Sequence, residues 1–225
     1  RSILIQRENK AVLYDTGASY DTGFNMVSAV VLPYLQHVGI HQLDKVIISH
    51  SDNDHVGGLT QLQNSINIKE LVYNTQNEGS SIPCLQGELH TWQGINIEIL
   101  WPEKATYREN DDSCVLLLSD GKNKVLLTGD ISKKVERKLV QQYPQLKADV
   151  LVVPHHGSKT SSSNLFISHV KPNYAIVSAG FLNRWHMPVL AVVKQYDEKD
   201  IQLFNTAISG QIIFDFSDNG ITKLI

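Results

Sequence analysis

Residues 50–58 read HSDNDHVGG and directly follow KVIIS at 45–49, an apolar run that predicts a short buried strand. Four side chains that can bind a metal ion occur within six residues, in the pattern H-x-D-x-D-H: His50, Asp52, Asp54 and His55. A turn at the end of a strand can direct alternate side chains to two neighbouring points. We therefore expect two metal ions here, one bound by the first pair and one by the second.

Two further groups of polar residues follow strand-like runs. Asp130 comes after the run at 124–127, and His155 and His156 come after the run at 149–153. A carboxylate at a strand end can bridge two ions with its two oxygens. Adjacent histidines point in different directions, so at most one of the pair is expected to reach a given ion, and either can be the ligand. Layered α/β folds place their ligand sites at such strand ends.

Another histidine, His186, lies in the sequence NRWHMP at 183–188. Phe181, Arg184 and Trp185 are close to it in sequence, and such residues can stack on a base and pair with a phosphate. Packing within the loop is the alternative. The basic residues of a predicted helix after Asp130 offer a second contact to a phosphate backbone, with a solvated helix face as the alternative: Lys133, Lys134, Arg137 and Lys138.

The hydrophobic pattern predicts a layered α/β protein in which helices pack outside sheets. Alternating runs at 3–6 and 11–14 predict a hairpin. The other predicted strands are 45–49, 69–73, 95–100, 113–119, 124–127, 149–153, 174–177, 201–203 and 211–216. The predicted helices are 26–38, with Pro33 kinking it or starting a new segment, 57–65, 132–143, with Ser132 as N-cap, 162–169 and 188–196.

Composition excludes several classes of protein. The 225 residues carry 20 Lys+Arg and 23 Asp+Glu, a net charge of 20 − 23 = −3, which argues against binding nucleic acid by bulk charge alone. No apolar run approaches the roughly 20 residues of a membrane helix, so this stretch is expected to be soluble. Cys84 and Cys114 are too few for a disulfide framework, and we expect both to be free thiols packed like small apolar side chains, with a single bridge between them as the alternative.

The motifs in combination resemble one superfamily. HSDNDHVGG at 50–58, LLTGD at 126–130 and VPHHGS at 153–158 resemble, in that order, the metallo-β-lactamase superfamily. The form H-x-D-x-D-H, in place of the usual H-x-H-x-D-H, looks like the C-terminal domain of the ComEC family of DNA-uptake channels. NDDSCVL at 110–116 and NRWHMP at 183–188 are similar to two further motifs of that family.

The resemblance implies a four-layer αββα sandwich, forming a single domain over residues 1–225. It also implies a fragment of a larger membrane protein, whose first strand precedes Arg1. The metal ligands that carry over are His50, Asp52, Asp54, His55 and Asp130, with one or both of His155 and His156. The third histidine of most members has no counterpart, and Ser113 lies near its place.

The implied activity is hydrolysis of DNA phosphodiester bonds with two divalent ions, Mn²⁺ or Zn²⁺, with Mg²⁺ as a further option. One strand of the incoming duplex would be degraded during natural transformation. Asp54, His156 and His186 would be catalytic, and the substrate-binding residues would be Ser158, Lys159, Asn183 and Arg184. Another phosphodiesterase of the superfamily and a non-catalytic module that guides DNA are the alternatives.

The resemblance also implies partners and a location. The expected partners are DNA, the rest of the membrane channel with its other soluble domain, and other competence proteins. The isolated domain is expected to be a monomer. It is expected on the periplasmic or extracellular side of the cytoplasmic membrane.

Overall fold

The computed structural model describes residues 1–74, 81–105, 109–217 and 220–224. Within it the chain divides into two units. The first consists of Arg1–Gln86 and Pro102–Cys114, and the second of Gly87–Trp101 and Val115–Ile225. The expectation of one domain over residues 1–225 stays a prediction.

In its described residues the first unit has six strands: β1 (Ile3–Arg7), β2 (Lys10–Tyr14), β3 (Gln42–Leu43), β4 (Lys45–Ile48), β5 (Asn67–Ile68) and β6 (Leu71–Tyr73). A four-stranded sheet has the order β1-β2-β4-β6, and β3 pairs with β5. The predicted hairpin is β1 and β2, which are antiparallel, whereas β2, β4 and β6 run parallel. The parallel strands therefore end at one edge of the sheet.

The helices of the first unit follow these strands. A π-helical turn at Val27–Val31 leads into α1 (Leu32–His37), and Pro33 lies in the first turn of α1. Val31 and Leu32 keep α-helical φ and ψ angles, so the predicted helix at 26–38 continues through Pro33 and changes from π-helical to α-helical just before it. Two short helices, α2 (Asn53–Val56) and α3 (Leu59–Ser65), follow β4. Their apolar faces pack with α1 and the sheet in one core.

The described part of the second unit contains nine strands: β7 (Leu89–Trp92), β8 (Ile95–Trp101), β9 (Val115–Ser119), β10 (Lys124–Leu127), β11 (Val150–Val152), β12 (Tyr174–Val177), β13 (Gln202–Asn205), β14 (Phe214–Ser217) and β15 (Gly220–Lys223). Strands β7 to β13 form one sheet in which neighbouring strands are also consecutive in sequence. Strands β14 and β15 form a separate hairpin. From β7 to β10 neighbours are antiparallel, and from β10 to β13 they are parallel. The hydrophobic pattern did not predict β7 or β15, which are polar and short.

Among the described residues of the second unit there are four α-helices: α4 (Lys133–Gln142), α5 (Asn164–Val170), α6 (Leu190–Asp197) and α7 (Thr206–Ser209). Ser132 is the N-cap of α4, as predicted, and its Oγ accepts a hydrogen bond from the Lys134 amide. Helices α4, α5 and α6 bury apolar side chains against the sheet in one core. In the described part of the chain, no helix is both long and apolar enough to span a membrane.

Cys84 and Cys114 form a disulfide, so the prediction of two free thiols is wrong. Both residues are fully buried in the first unit, and their Cα atoms are 5.9 Å apart, a separation that a disulfide spans. The Asn74 amide holds the backbone of Cys84 with two hydrogen bonds of 2.9 Å, and Tyr14 Oη donates to the Cys114 carbonyl at 2.7 Å. The cysteines are 30 residues apart in sequence, and only the tertiary structure brings them together.

Candidate metal centre

Two buried histidines follow β4 in the first unit. His50 comes two residues after the strand, His55 lies in α2, and their ring centroids are 4.1 Å apart. Oγ of Ser49 lies 3.0 Å from Nδ1 of each ring, so one hydroxyl contacts both imidazoles. The strand, turn and short helix thus bring the two predicted ligands side by side.

A carboxylate that the sequence analysis missed lies behind His55. Asp15 directly follows β2 and is fully buried; its Oδ2 is 2.7 Å from Nδ1 of His55, and its Oδ1 accepts from the Ser49 amide at 2.7 Å. Burial by itself raises the pKa of Asp15, but the charge and hydrogen bonds of His55 and Ser49 outweigh it and hold the pKa below its usual value. The sequence could have indicated Asp15 as a site residue, because Asp15, like His50, follows a predicted strand.

The other nitrogen of each ring faces a carboxylate of the same loop. Nε2 of His50 lies 3.5 Å from Oδ2 of Asp52, and Nε2 of His55 lies 3.3 Å from Oδ2 of Asp54. Because a carboxylate only accepts hydrogen bonds, the contact with Asp15 puts the proton of a neutral His55 on Nδ1 and leaves a lone pair on Nε2. Within the described chain, the buried Nε2 of His50 has no hydrogen-bond partner. Asp54 and His55 therefore fit a divalent ion, with Asp15 orienting His55 from behind.

Ser113 lies on the opposite side of His50 from Asp52. Its Oγ is 3.4 Å from Nδ1 of His50 and donates to the Asn110 carbonyl at 2.7 Å. Ser113 is fully buried. The hydroxyl therefore contacts the back of the ring, and a role of Ser113 in place of the missing histidine stays a prediction.

The second unit contains another imidazole–carboxylate pair. Asp130 follows β10 and is buried; its Oδ2 lies 3.3 Å from Nε2 of His156 and 4.0 Å from Nε2 of His155. Nδ1 of His156 is 2.6 Å from the Ser178 carbonyl, which only accepts, so in a neutral ring this nitrogen carries the proton and Nε2 has the lone pair. The pair fits a divalent ion, and the shorter distance favours His156 over His155 as the ligand.

An unusual backbone turn presents these two histidines. His155, His156 and Gly157 have consecutive positive φ values of 48°, 53° and 78°. The two imidazole planes are inclined by 72°, but Nε2 of both rings lies within 4.0 Å of Oδ2 of Asp130, so the turn directs both histidines toward one carboxylate. A Cβ on Gly157 would lie 2.6 Å from Cβ of Pro188, so the close approach of these two segments requires glycine.

Ser158 and Lys159, predicted to bind substrate, come directly after this turn. Ser158 is buried, and its Oγ lies 3.1 Å from Oγ1 of Thr160, which is 3.2 Å from Nδ1 of His155. Lys159 is exposed, and its carbonyl accepts from Nζ of Lys133 at 2.8 Å. The hydroxyls support the orientation of His155, and the roles of Ser158 and Lys159 toward substrate stay predictions.

The remaining predicted site residues lie in the loop between β12 and α6. Arg184 and His186 are exposed, whereas the amide of Asn183 is hydrogen-bonded to the backbone of Met187. Asn183 therefore orders the loop, and its contact with substrate stays a prediction. Of the basic residues of α4, Lys138 places its ammonium 4.7 Å from the centroid of the Trp101 ring.

Comparison with known proteins supplies a second line of evidence. A family model of the metallo-β-lactamase superfamily matches residues 1–77. The chain is 41% identical over 217 residues to recombination protein 2 of Haemophilus influenzae, a match that covers 95% of this chain and 27% of that protein. It is 34% identical over 224 residues to competence protein ComA of Neisseria gonorrhoeae, a match that covers 98% of this chain and 31% of that protein.

A third relative is ComE operon protein 3 of Bacillus subtilis, with 32% identity over 234 residues, 92% of this chain and 30% of that protein. The chain thus spans less than a third of the length of these relatives. Among solved structures, the metallo-β-lactamase fold protein YhfI from Bacillus subtilis matches with a TM-score of 0.55 and 14% identity, over 91% of this chain and 87% of that one. At such identity the likeness shows the fold alone, and it confirms the predicted α/β sandwich class.

Proposed function

Because this chain is a ComEC-like metallo-β-lactamase domain, we propose that it is a metal-dependent deoxyribonuclease that hydrolyses DNA phosphodiester bonds. It degrades the strand that does not enter the cell during natural transformation. One observation carries the proposal. In three places a histidine Nε2 faces an aspartate oxygen at 3.3–3.5 Å, and the chemistry of these donors suits divalent ions.

The proposed ligands of two ions belong to the pairs described above: His50, Asp52, Asp54, His55, Asp130 and His156. When bound, such ions neutralise phosphate charge and make a water molecule a nucleophile at neutral pH. Asp15 keeps the proton of His55 on Nδ1, so that Nε2 binds as a neutral donor. The Ser178 carbonyl does the same for His156.

Other side chains of the proposal handle the substrate. Ser158 and Lys159 bind a phosphate of the DNA strand, and Arg184 binds the adjoining one. His186, which is exposed on its loop, moves a proton at the leaving oxygen. His155 is held by Thr160 and helps to position the same phosphate.

Manganese suits this donor set at least as well as zinc. Asp52 stands where most superfamily members have a histidine, and carboxylate oxygens favour Mn²⁺ or Mg²⁺ more than imidazole nitrogens do. Metal-free protein resupplied with each ion separately tests the assignment. Mn²⁺ is expected to restore activity at least as well as Zn²⁺, and restoration by Zn²⁺ alone would contradict it.

The proposal is tested with labelled single-stranded and double-stranded DNA in the presence of Mn²⁺. We expect cleavage by the unmodified chain and a loss of at least about 100-fold in Asp54→Ala, because removing a ligand removes its ion. Asp149→Asn is the matched control, since that carboxylate accepts a hydrogen bond from the Lys124 amide at the start of β10. DNA binding without cleavage under any ion would instead support a guiding module, and cleavage of small phosphodiesters but not DNA would support another phosphodiesterase.

We also propose that the domain acts outside the cytoplasm, with the remainder of the channel, its other soluble domain and other competence proteins as partners. The Cys84–Cys114 disulfide supports this side, because disulfides persist mainly in oxidising compartments. Labelling of free thiols in cells before and after reduction tests it. Cysteines that label without reduction would contradict the extracytoplasmic location. As an isolated domain the chain is a monomer.

A further inference from the structure

The loop of residues 180–188, here called the aromatic loop, exposes three large apolar side chains in five residues. Phe181 is 78% exposed, Leu182 is 85% exposed and Trp185 is 63% exposed. Scattered apolar side chains are normal on a protein surface, but a cluster of this kind indicates an interaction surface. The proposed nuclease chemistry does not use these three side chains.

The backbone of the aromatic loop is held by its own hydrogen bonds. The amide of Asn183 donates to the Met187 carbonyl at 2.7 Å and to the Gly180 carbonyl at 3.1 Å, and it accepts from the Met187 amide at 2.9 Å. One side chain thus ties both ends of the loop together. The aromatic rings are therefore presented to solvent by an ordered turn, which lowers the entropy lost when a ligand binds.

The aromatic loop is also attached to the turn that carries the candidate ligand His156. The amide of Val189 donates to the Gly157 carbonyl at 3.0 Å, and Pro188 packs against Gly157 without room for a Cβ. Nε2 of His156, one residue before Gly157, faces Asp130. A chain molecule bound at this ligand pair can therefore continue onto the aromatic loop of the same unit.

The charge of the aromatic loop selects the kind of ligand. Residues 180–188 contain Arg184 and no acidic residue. The Arg184 guanidinium lies 4.6 Å from the centroid of the Trp185 ring, where it stays available to an anion while stacked on the indole. Flat apolar rings together with a fixed cation match unpaired bases linked by phosphates.

We propose that the aromatic loop binds unpaired bases of a nucleic-acid strand, with bases stacked on Phe181 and Trp185 and a phosphate paired with Arg184. The inference rests on the proposed function and deepens it, because it assigns a preference for single strands. In a duplex the bases stack on one another and their faces are not accessible. Stacking on a ring depends on base faces alone, so the preference is independent of sequence.

The chain contains its own spectroscopic probe for this contact. Trp92 and Trp101 are buried, with 8% and 7% exposure, so Trp185 is the exposed one of the three tryptophans. The experiment is a tryptophan fluorescence titration of the 225-residue chain with a hydrolysis-resistant phosphorothioate oligothymidylate in Mn²⁺. We expect quenching by this single strand, and weaker binding of an abasic strand of equal length and of a duplex.

Variants separate stacking from folding effects. Phe181→Ala and Trp185→Ala are each expected to weaken oligothymidylate binding about tenfold, as judged by anisotropy of a labelled strand. Trp185→Phe keeps a ring and is expected to keep the affinity while losing the quenching. Ile208→Ala, which removes a side chain 85% exposed on α7, is the control and is expected to change neither.

Three outcomes would overturn the inference. These are equal affinity for abasic and normal strands, unchanged affinity in both alanine variants, and quenching by vesicles of anionic lipid but not by the oligonucleotide. Binding and cleavage are read separately. Failure of the nuclease proposal appears as an absence of cleavage with stacking intact, and failure of the stacking inference leaves cleavage in place.

Discussion

Nδ1 of His55 and Oδ2 of Asp15 lie 2.7 Å apart, and both side chains are completely buried. The pair joins the residue after β2 to the helix after β4. A buried carboxylate in this position fixes which nitrogen of the imidazole carries the proton. Asp15 is therefore a positioning residue for a metal ligand.

Asp15→Asn is expected to lower metal affinity by about 10–100-fold, because the amide no longer holds the imidazole proton on Nδ1 by charge. Isothermal titration of the metal-free protein with Mn²⁺ measures the effect. Asp149→Asn provides a control carboxylate, whose partner is the Lys124 amide. Equal Mn²⁺ affinity in Asp15→Asn and the unmodified chain would contradict the positioning role.

The same residue is expected to make stability depend on pH. In the folded protein the pKa of Asp15 lies below its usual value of 3.8. The ionised carboxylate therefore stabilises the fold at pH values above 3.8. This contribution is lost as the pH falls through the lowered pKa. Urea unfolding of the metal-free chain should show a difference of about 1–3 kcal/mol from Asp15→Asn near pH 7. A difference that grows as the pH falls below 3.8 would show that the sign is wrong.

His156→Ala and His155→Ala are expected to behave differently, although the residues are neighbours. Nε2 of His156 is 3.3 Å from Oδ2 of Asp130, whereas that of His155 is 4.0 Å away and its ring is held by Thr160. Elemental analysis after dialysis should find less bound metal in His156→Ala and nearly unchanged metal in His155→Ala. The reverse order would assign the ligand to His155.

Reduction of the disulfide is expected to destabilise the first unit. Closing a loop between cysteines 30 residues apart in the unfolded chain corresponds to about 3–4 kcal/mol in the chain-entropy model. Cys84→Ser, Cys114→Ser and the double variant should therefore unfold at a similar, lower temperature. The double variant is the control, because a reductant should not change its unfolding temperature. An unmodified chain that is equally stable with and without reductant would refute the prediction.

Metal removal is expected to weaken DNA binding. Two divalent ions change the formal charge from −3 to −3 + 4 = +1, and they place the added charge where a phosphate is bound. Anisotropy of a labelled single strand, measured with Mn²⁺ and with a chelator at several salt concentrations, tests this. Affinity and salt dependence that stay the same in the chelator would show that the ions do not contribute.

The local sequence determined the types of residue and their order along the chain. The ligand candidates at 50–55, 130 and 155–156 all follow short apolar runs, and such a run is a property of consecutive residues. Consecutive residues also predicted the hairpin at the start of the chain and the N-cap Ser132. They predicted where most strands lie along the chain, but not their order within a sheet. Short polar strands such as β7 carry too little alternation to be recognised.

The tertiary structure decided which atoms face each other. Asp15 contacts His55 across 40 residues, Cys84 pairs with Cys114 across 30, and the Ser178 carbonyl orients His156 across 22. Such contacts depend on how strands are ordered in a sheet and on where each loop turns. A hydrophobic pattern with a period of two or 3.6 residues carries no information about either. The ligand types were therefore readable from consecutive residues, whereas proton positions, the disulfide and the choice of His156 required the fold.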